Sequence, residues 1–191
     1  VLSRINKHSI ECDLQFGYLH AALYQRHMTE LLVMQDKWSR RGYTQLTALT
    51  DHTALAPHIN SQSYCGGLYD KKSGQIHPLK YLMGLALAAR AAGAHILENS
   101  RVIKIDRGAK KKLYLQNSPQ LTASRVLLCG NAYLTDIGLP SMSRRLAQVT
   151  SSILATTPLS DNMIQHILPS RATVADCNTA LNYFRVDADN R

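Results

Sequence analysis

One alanine-rich helix divides the sequence into two strand-rich parts and limits the folds open to it. His77-Pro78-Leu79 predicts the start of this helix, because proline favours the first helical position. Gly93 predicts its end, where a left-handed residue is favoured. His77 is expected to cap the helix rather than to titrate in catalysis. The small residues predict close packing against a sheet, through a face that includes Leu79, Leu82, Met83, Ala86 and Ala89.

The part before this helix predicts two further helices and two strands. Apolar alternation favours a strand over 12–22, and helical spacing favours a helix over 26–41. Asp51 is a candidate N-cap for a short helix, since its carboxylate can accept a backbone N–H. The segment 65–69 is predicted as a strand, and 70–74 has the composition of a turn.

The part after the helix is richer in strands. Strands are predicted at 94–97, 101–106 and 112–116, with a lysine-bearing turn between the last two. The run 124–130 is almost continuously apolar, which is typical of a strand buried on both faces. Beyond Pro140 we predict a β-rich stretch at 146–157, a short helix at 161–168, and strands at 172–176 and 180–186.

This order predicts an α+β protein (α/β mixed), in which a βαβ-like block lies between two strand-rich segments. A discontinuous two-domain protein would produce the pattern, and so would a single α+β domain. The flanking segments, before 70 and after 145, are expected to pair in one sheet. Both ends of the chain look like cuts in a longer protein, because it lacks an initiator Met and ends in a turn.

Composition excludes several classes of function. Charged residues make up only 18% of the chain, which argues against disorder. The net charge of +9 is scattered, so no nucleic acid partner is expected. No apolar run reaches the roughly 18 residues of a membrane span. The histidines lack metal-ligand spacing, so no metal is expected. The four cysteines lie far apart in strand-like segments, which predicts buried free thiols in a cytoplasmic protein.

The strongest local sign of chemistry is the segment 126–133, in which an apolar strand ends at Gly130. A glycine there allows a ligand to approach the backbone closely. An ordinary turn after a strand has the same appearance. No GxGxxG motif occurs anywhere in the chain, so the sequence holds no complete phosphate cradle.

Two segments together resemble a known family: GGLYDKKSGQIHPLKYLMGLALAARAAGAHILENSRVIKI and VLLCGNAYL. They are similar to the middle of the D-amino-acid-oxidase-like superfamily of FAD-dependent oxidoreductases, near its gamma-glutamylputrescine oxidoreductase group. The end of the chain, VADCNTALNYFRVDADNR, resembles the same group. The resemblance covers nearly the whole chain, and its middle is more specific than the first 60 residues.

The resemblance implies FAD as cofactor and the oxidation of a small-molecule amine, with oxygen or another acceptor taking the electrons. It implies that Val102 offers its backbone to the adenine, and that Cys129, Gly130 and Asn131 line the dinucleotide path. Residues 75–140 would be part of a βαβ-type FAD-binding lobe. Residues 1–70 and 145–191 would belong to a substrate domain with an antiparallel or mixed sheet. This chain alone is expected to be inactive, and no residue is assigned to catalysis.

The segment 180–186 carries the candidate substrate residues. Alternation along a strand places Leu181, Tyr183 and Arg185 on one face. The resemblance places that sheet over the flavin, so Tyr183 and Arg185 would hold an amine substrate that bears a carboxylate. A surface pair on an edge strand is the alternative. A non-catalytic basic α+β binding module is the alternative for the whole chain, and neither the exact amine nor the oligomeric state follows from the sequence.

Overall fold

The structure is a computed structural model that describes residues 1–106, 108–117, 120–137 and 144–191, without the side chains of residues 135 and 136. Its helices are α1 (Leu2–His8), α2 (Gln25–Ser39), α3 (His52–Leu55), α4 (Pro78–Ala91), a 3-10 helix (Asn131–Asp136) and α5 (Asp161–Ile167). Its strands are β1 (Gln15–Ala22), β2 (Leu46–Leu49), β3 (Gly66–Gln75), β4 (Val102–Asp106), β5 (Lys111–Leu115), β6 (Leu121–Ala123), β7 (Thr173–Asp176) and β8 (Tyr183–Phe184).

Two compact units make up the chain. One contains Val1–Ala92 together with Ala155–Arg191, and the other contains Gly93–Leu154. How these units correspond to the predicted cofactor and substrate parts stays a prediction. The mixture of helices with mixed and antiparallel sheets confirms the predicted α+β class. No helix in the described residues is both long and apolar enough to cross a bilayer.

The first unit is built on a five-stranded mixed sheet in the order β2-β3-β1-β7-β8. The central strand β1 pairs antiparallel with β3 and parallel with β7. The sheet therefore joins an early and a late part of the chain, as predicted. The late partner is β7, whereas the predicted β-rich stretch at 146–157 contains no strand, and Leu154 within it is 97% exposed.

The predicted turn at 70–74 is wrong, because β3 continues through it to Gln75. Tyr18 pairs with Asp70, but Phe16 pairs with Gly74, so β3 carries more residues than β1 over the same stretch. The excess forms a β-bulge, which needs turn-forming residues while the strand goes on. This explains why the segment has the composition of a turn.

Helices cover both faces of this sheet. Strand alternation sends Leu19 and Ala21 of β1 to one face, where they join a buried cluster with α3 and α5. On the other face Met28 and Leu31 of α2 pack on Ala22, and Leu68 of β3 completes that cluster. Tyr18 and His20 alternate with Leu19 and Ala21, so they lie on the α2 face.

Helix α4 begins and ends close to the predicted residues, and the side chain of His77 accepts a hydrogen bond from the N–H of Lys80, as a cap should. The predicted packing face is wrong, since Leu79 and Leu82 are each 60% exposed. A Cβ on Gly84 would meet the side chain of Ile10, so the glycine serves close packing on the segment after α1 instead.

The second unit contains an antiparallel sheet in the order β4-β5-β6. The predicted strands at 94–97 and 124–130 are not formed, and Leu127 is 87% exposed. The short strand β6 pairs with β5 just before the apolar run 124–130. That run has no strand partner among the described residues, so its apolar sequence alone does not make it a strand.

The core position of β1 leads to a stability prediction. Leu19 is fully buried in the central strand, so Leu19→Ala should lower the free energy of unfolding by about 2–5 kcal/mol. Leu32→Ala on the exposed side of α2 should change it by less than about 0.5 kcal/mol. Urea denaturation followed by circular dichroism measures both. Equal losses in the two variants would contradict the assigned core.

Candidate functional site

The register of the five-stranded sheet brings Tyr183 onto the face that carries His20. Ala175 of β7 pairs with His20 of β1 on one side and with Tyr183 of β8 on the other. Residues that lie opposite each other in a sheet share a face. Helix α2 packs over β2, β3 and the end of β1 on this face. Tyr183 lies on β8, three strands away from β3, and 53% of it is exposed.

Two titratable side chains of β1, Tyr18 and His20, lie on this face between β3 and β8. The rings of Tyr18 and His20 meet edge to face, with their centroids 4.7 Å apart. Burial lowers the pKa of His20, although the nearby charge of Asp70 acts to raise it. The imidazole is therefore neutral near pH 7. Burial, with a smaller contribution from Cys177, raises the pKa of Tyr18.

Asp70 holds a buried carboxylate at the bulge of β3. Its oxygens accept hydrogen bonds from the hydroxyls of Tyr43 (2.8 and 2.9 Å) and Ser73 (2.7 Å). They also accept from the backbone N–H groups of Lys72 (2.9 Å) and Ser73 (3.2 Å). Burial raises the pKa of this carboxyl, but the hydrogen bonds outweigh burial, and the net pKa is lowered. Asp70 is therefore ionised at neutral pH.

These groups line a cavity of about 650 Å³, here called the aromatic cavity. Its walls include Tyr18 and His20 of β1, Trp38 of α2, Tyr43 and Asp70. The rings of Trp38 and Tyr43 lie edge to face with centroids 6.1 Å apart. The cavity thus combines aromatic rings, a neutral imidazole and an anionic carboxylate.

No motif in the sequence predicts this cavity. Tyr18 and His20 alternate along a predicted strand, which is a sign that could have revealed a polar face of the sheet. The sequence predicts a turn at Asp70 and a helix at Trp38, and nothing in it indicates that the two meet. Their meeting depends on the pairing of β3 with β1.

Arg185 lies at a second cavity, of about 370 Å³, whose lining also includes Arg171, Asp13 and His77. The guanidinium of Arg185 donates a hydrogen bond to the carbonyl of Ile76 at 2.8 Å. Arg171 donates to the Asp187 carbonyl and to the Asn190 side chain. Tyr183 belongs to the open sheet face, so the two predicted substrate residues lie at neighbouring but different surfaces.

The predicted cofactor residues lie in the second unit. Val102 begins β4, an outer strand with one open edge among the described residues. Cys129 is exposed rather than buried as predicted, and Asn131 has a left-handed φ of 47°. A Cβ on Gly130 would lie 2.8 Å from Leu134. Because the atom it would meet is the end of a flexible side chain, which can shift, packing alone does not explain this glycine. The chain, which lacks a GxGxxG motif, supplies only part of a dinucleotide site.

All four cysteines are free thiols. Within the described ranges, no three His, Cys, Asp or Glu side chains are grouped to hold a metal ion.

Comparison with known proteins extends the resemblance that the sequence showed. The family described as FAD dependent oxidoreductase matches residues 2–191. A probable oxidoreductase OrdL of Haemophilus influenzae is 36% identical over 98% of this chain. The gamma-glutamylputrescine oxidoreductase of Escherichia coli is 33% identical over 100% of it. The chain spans 44% of the length of each of these relatives.

Solved structures show the same fold. Glycine oxidase from Geobacillus kaustophilus superposes with a TM-score of 0.73 over 99% of this chain and 49% of that protein, at 19% identity. L-proline dehydrogenase from P. horikoshii superposes with a TM-score of 0.74 over 99% of this chain and 50% of that one, at 14% identity. At such identities the similarity concerns the fold alone. The family resemblance drawn from the sequence is confirmed.

The buried carboxylate of Asp70 predicts an acid-dependent stability. Its pKa is lower in the folded protein than the usual 3.8, so its stabilising contribution is complete above that value and is lost as pH falls through the folded pKa. The difference in free energy of unfolding between the wild type and Asp70→Asn should be constant above about pH 5 and shrink below about pH 4. Denaturation across this range measures it, and a difference independent of pH would contradict the assignment.

Proposed function

The chain belongs to the family of FAD-dependent oxidoreductases, and from this premise we propose that the whole protein oxidises an amine or amino acid with FAD. The observation that carries this proposal is the family match along residues 2–191. That match favours an enzyme over a non-catalytic basic binding module. We further propose a cytoplasmic protein with a small-molecule substrate and with oxygen or another acceptor for the electrons.

FAD, when bound, supplies the chemistry by accepting a hydride from the C–H next to the amine nitrogen. The role of this chain would be to bind and orient the cofactor and the substrate. We propose that the backbone of Val102, on the open edge of β4, contacts the adenine. We propose that Cys129, Gly130 and Asn131 line the path of the dinucleotide, a segment in which Cys129 is exposed and Asn131 has a left-handed φ.

For the substrate we propose Tyr183 and Arg185. Tyr183 is exposed on a sheet face, and its hydroxyl can orient a polar group. Arg185 uses one guanidinium nitrogen on the carbonyl of Ile76, which fixes the side chain while other N–H groups remain for a carboxylate. The name of the relative in Escherichia coli supports an amine with a carboxylate, such as gamma-glutamylputrescine or a related compound, as the substrate.

Flavin content tests the class of the protein. The full-length protein should purify with the visible absorption of a flavin, which an amine substrate bleaches when oxygen is removed. The 191-residue chain by itself should bind FAD weakly or not at all, since its sequence lacks a glycine-rich phosphate cradle. Titration of FAD fluorescence measures the second point. A colourless full-length protein, with no response to amines, would overturn the proposed function.

Substitution of Arg185 tests the substrate site. Losing a charge-assisted contact costs roughly 1.5–3 kcal/mol, so Arg185→Ala in the full-length enzyme should lower kcat/KM by about ten- to a hundredfold or more. Arg185→Lys should recover only part of this loss, because lysine lacks the planar fork. Arg40→Ala, which removes an exposed ion pair with Asp36, is the matched control and should leave the kinetics unchanged. Wild-type kinetics in Arg185→Ala would assign Arg185 to the surface.

A further inference from the structure

A carboxylate that has no cationic partner within the described part of the chain lies in the wall of the aromatic cavity. Every donor to Asp70 among the described residues is neutral, namely the hydroxyls of Tyr43 and Ser73 and two backbone N–H groups. These bonds hold the charge in place, since a buried carboxylate is costly unless it is hydrogen-bonded. They do not neutralise it. The cavity therefore has an anionic wall in a chain whose formal net charge is +9.

Aromatic rings line the same cavity as this charge. Tyr18, Trp38 and Tyr43 line the same cavity, and the faces of such rings attract cations, tryptophan most strongly. The guanidinium carbon of Arg41 already lies 5.9 Å from the centroid of the Trp38 ring. His20 adds no opposing positive charge, because burial lowers the pKa of its imidazole. Aromatic rings together with a carboxylate form the kind of site that recognises organic ammonium ions.

We propose that the aromatic cavity binds an alkylammonium group, with Asp70 supplying the charge and Trp38, Tyr43 and Tyr18 supplying the ring faces. Nothing in the family match assigns this role to the cavity. The inference rests on the proposed function in one respect, namely that the ammonium group belongs to the substrate. The ammonium group would lie at the end of the substrate that is remote from Tyr183 and Arg185.

The sheet sets the length of such a substrate. The cavity and Tyr183 share one face, and the order β3-β1-β7-β8 separates Asp70 from Tyr183 by three strand-to-strand steps. At about 4.8 Å a step, the separation across the strands is about 14 Å, and Asp70 and Tyr183 are also offset by two residues along the strands. A ligand that reaches from Asp70 to Tyr183 must be long, with a protonated amine at the end that lies in the aromatic cavity. An acylated diamine has this form, and a small amino acid is too short to reach both ends.

Binding to the full-length protein tests the cavity without any catalytic turnover. The probes are 1,4-diaminobutane, which is cationic, and n-butanol, a neutral molecule of similar size. The diamine should change the fluorescence of Trp38 saturably and n-butanol should not, and Trp38→Phe should remove the signal and so identify its source. Asp70→Asn should weaken diamine binding about tenfold or more, as expected for loss of a charge-assisted contact.

A matched control separates charge in the cavity from loss of any buried carboxylate. Asp176 is also buried, and it accepts hydrogen bonds from Asn178 and Asn182, but it lies outside the aromatic cavity. Asp176→Asn should keep the wild-type affinity for the diamine. Equal weakening in the two variants, or equal responses to the diamine and n-butanol, would overturn the proposal.

A second variant keeps the test valid if Asp70→Asn does not fold. Trp38 is 45% exposed, so Trp38→Ala should fold normally, which circular dichroism checks. Its affinity for 1,4-diaminobutane, measured by calorimetry, should fall severalfold. Wild-type affinity in Trp38→Ala would overturn the proposal.

Kinetics then distinguish this inference from the proposed function. For an acylated diamine, Asp70→Asn should raise KM with little change in kcat. If the diamine binds through Asp70 but no amine reduces the flavin, the proposed role of the cavity is supported and the proposed function is overturned. If amines reduce the flavin with KM values that Asp70→Asn and Trp38→Ala leave unchanged, the proposed function is supported and the proposed role of the cavity is overturned.

Discussion

The pairing of β1 with both β3 and β7 is the constraint on which the rest of the first unit depends. Strand β1 is central, and it is hydrogen-bonded to an early strand on one side and to a late strand on the other. Its alternating residues set the two faces, with Leu19 and Ala21 buried under α3 and α5. A shift of one residue in this register would exchange the faces. It would move Tyr18 and His20 into the apolar core.

The bulge in β3 depends on the same pairing. Since β3 carries additional residues opposite β1, the chain turns locally, and Asp70 accepts hydrogen bonds from the N–H groups of Lys72 and Ser73. A bulge redirects side chains at the point where it occurs. Here it holds a charged carboxylate beside Tyr43, at the end of α2. The chemical character of the aromatic cavity is thus a consequence of strand register.

Local elements followed the sequence where the residues themselves determine the structure. The helix α2, the proline-initiated helix α4 and the cap by Asp51 all form near the predicted residues. The failures are the segments 94–97, 124–130 and 146–157, where apolar or β-branched composition suggested strands. A strand needs a partner as well as a suitable composition, and a partner is not visible in local sequence. The turn at 70–74 failed for the related reason that a bulge and a turn use the same residues.

The sequence by itself determined the α+β class, the family, the positions of the main helices and the presence of a late strand that contains Tyr183. These follow from periodicity, capping chemistry and motif resemblance, all of which are read over short stretches of chain. Only the tertiary structure decided that Tyr183 shares a face with His20, and that Asp70 meets Trp38 and Tyr43 in one cavity. Such contacts join residues that are distant along the chain, and strand order and register fix them through hydrogen bonds between backbones, which carry no mark of residue type.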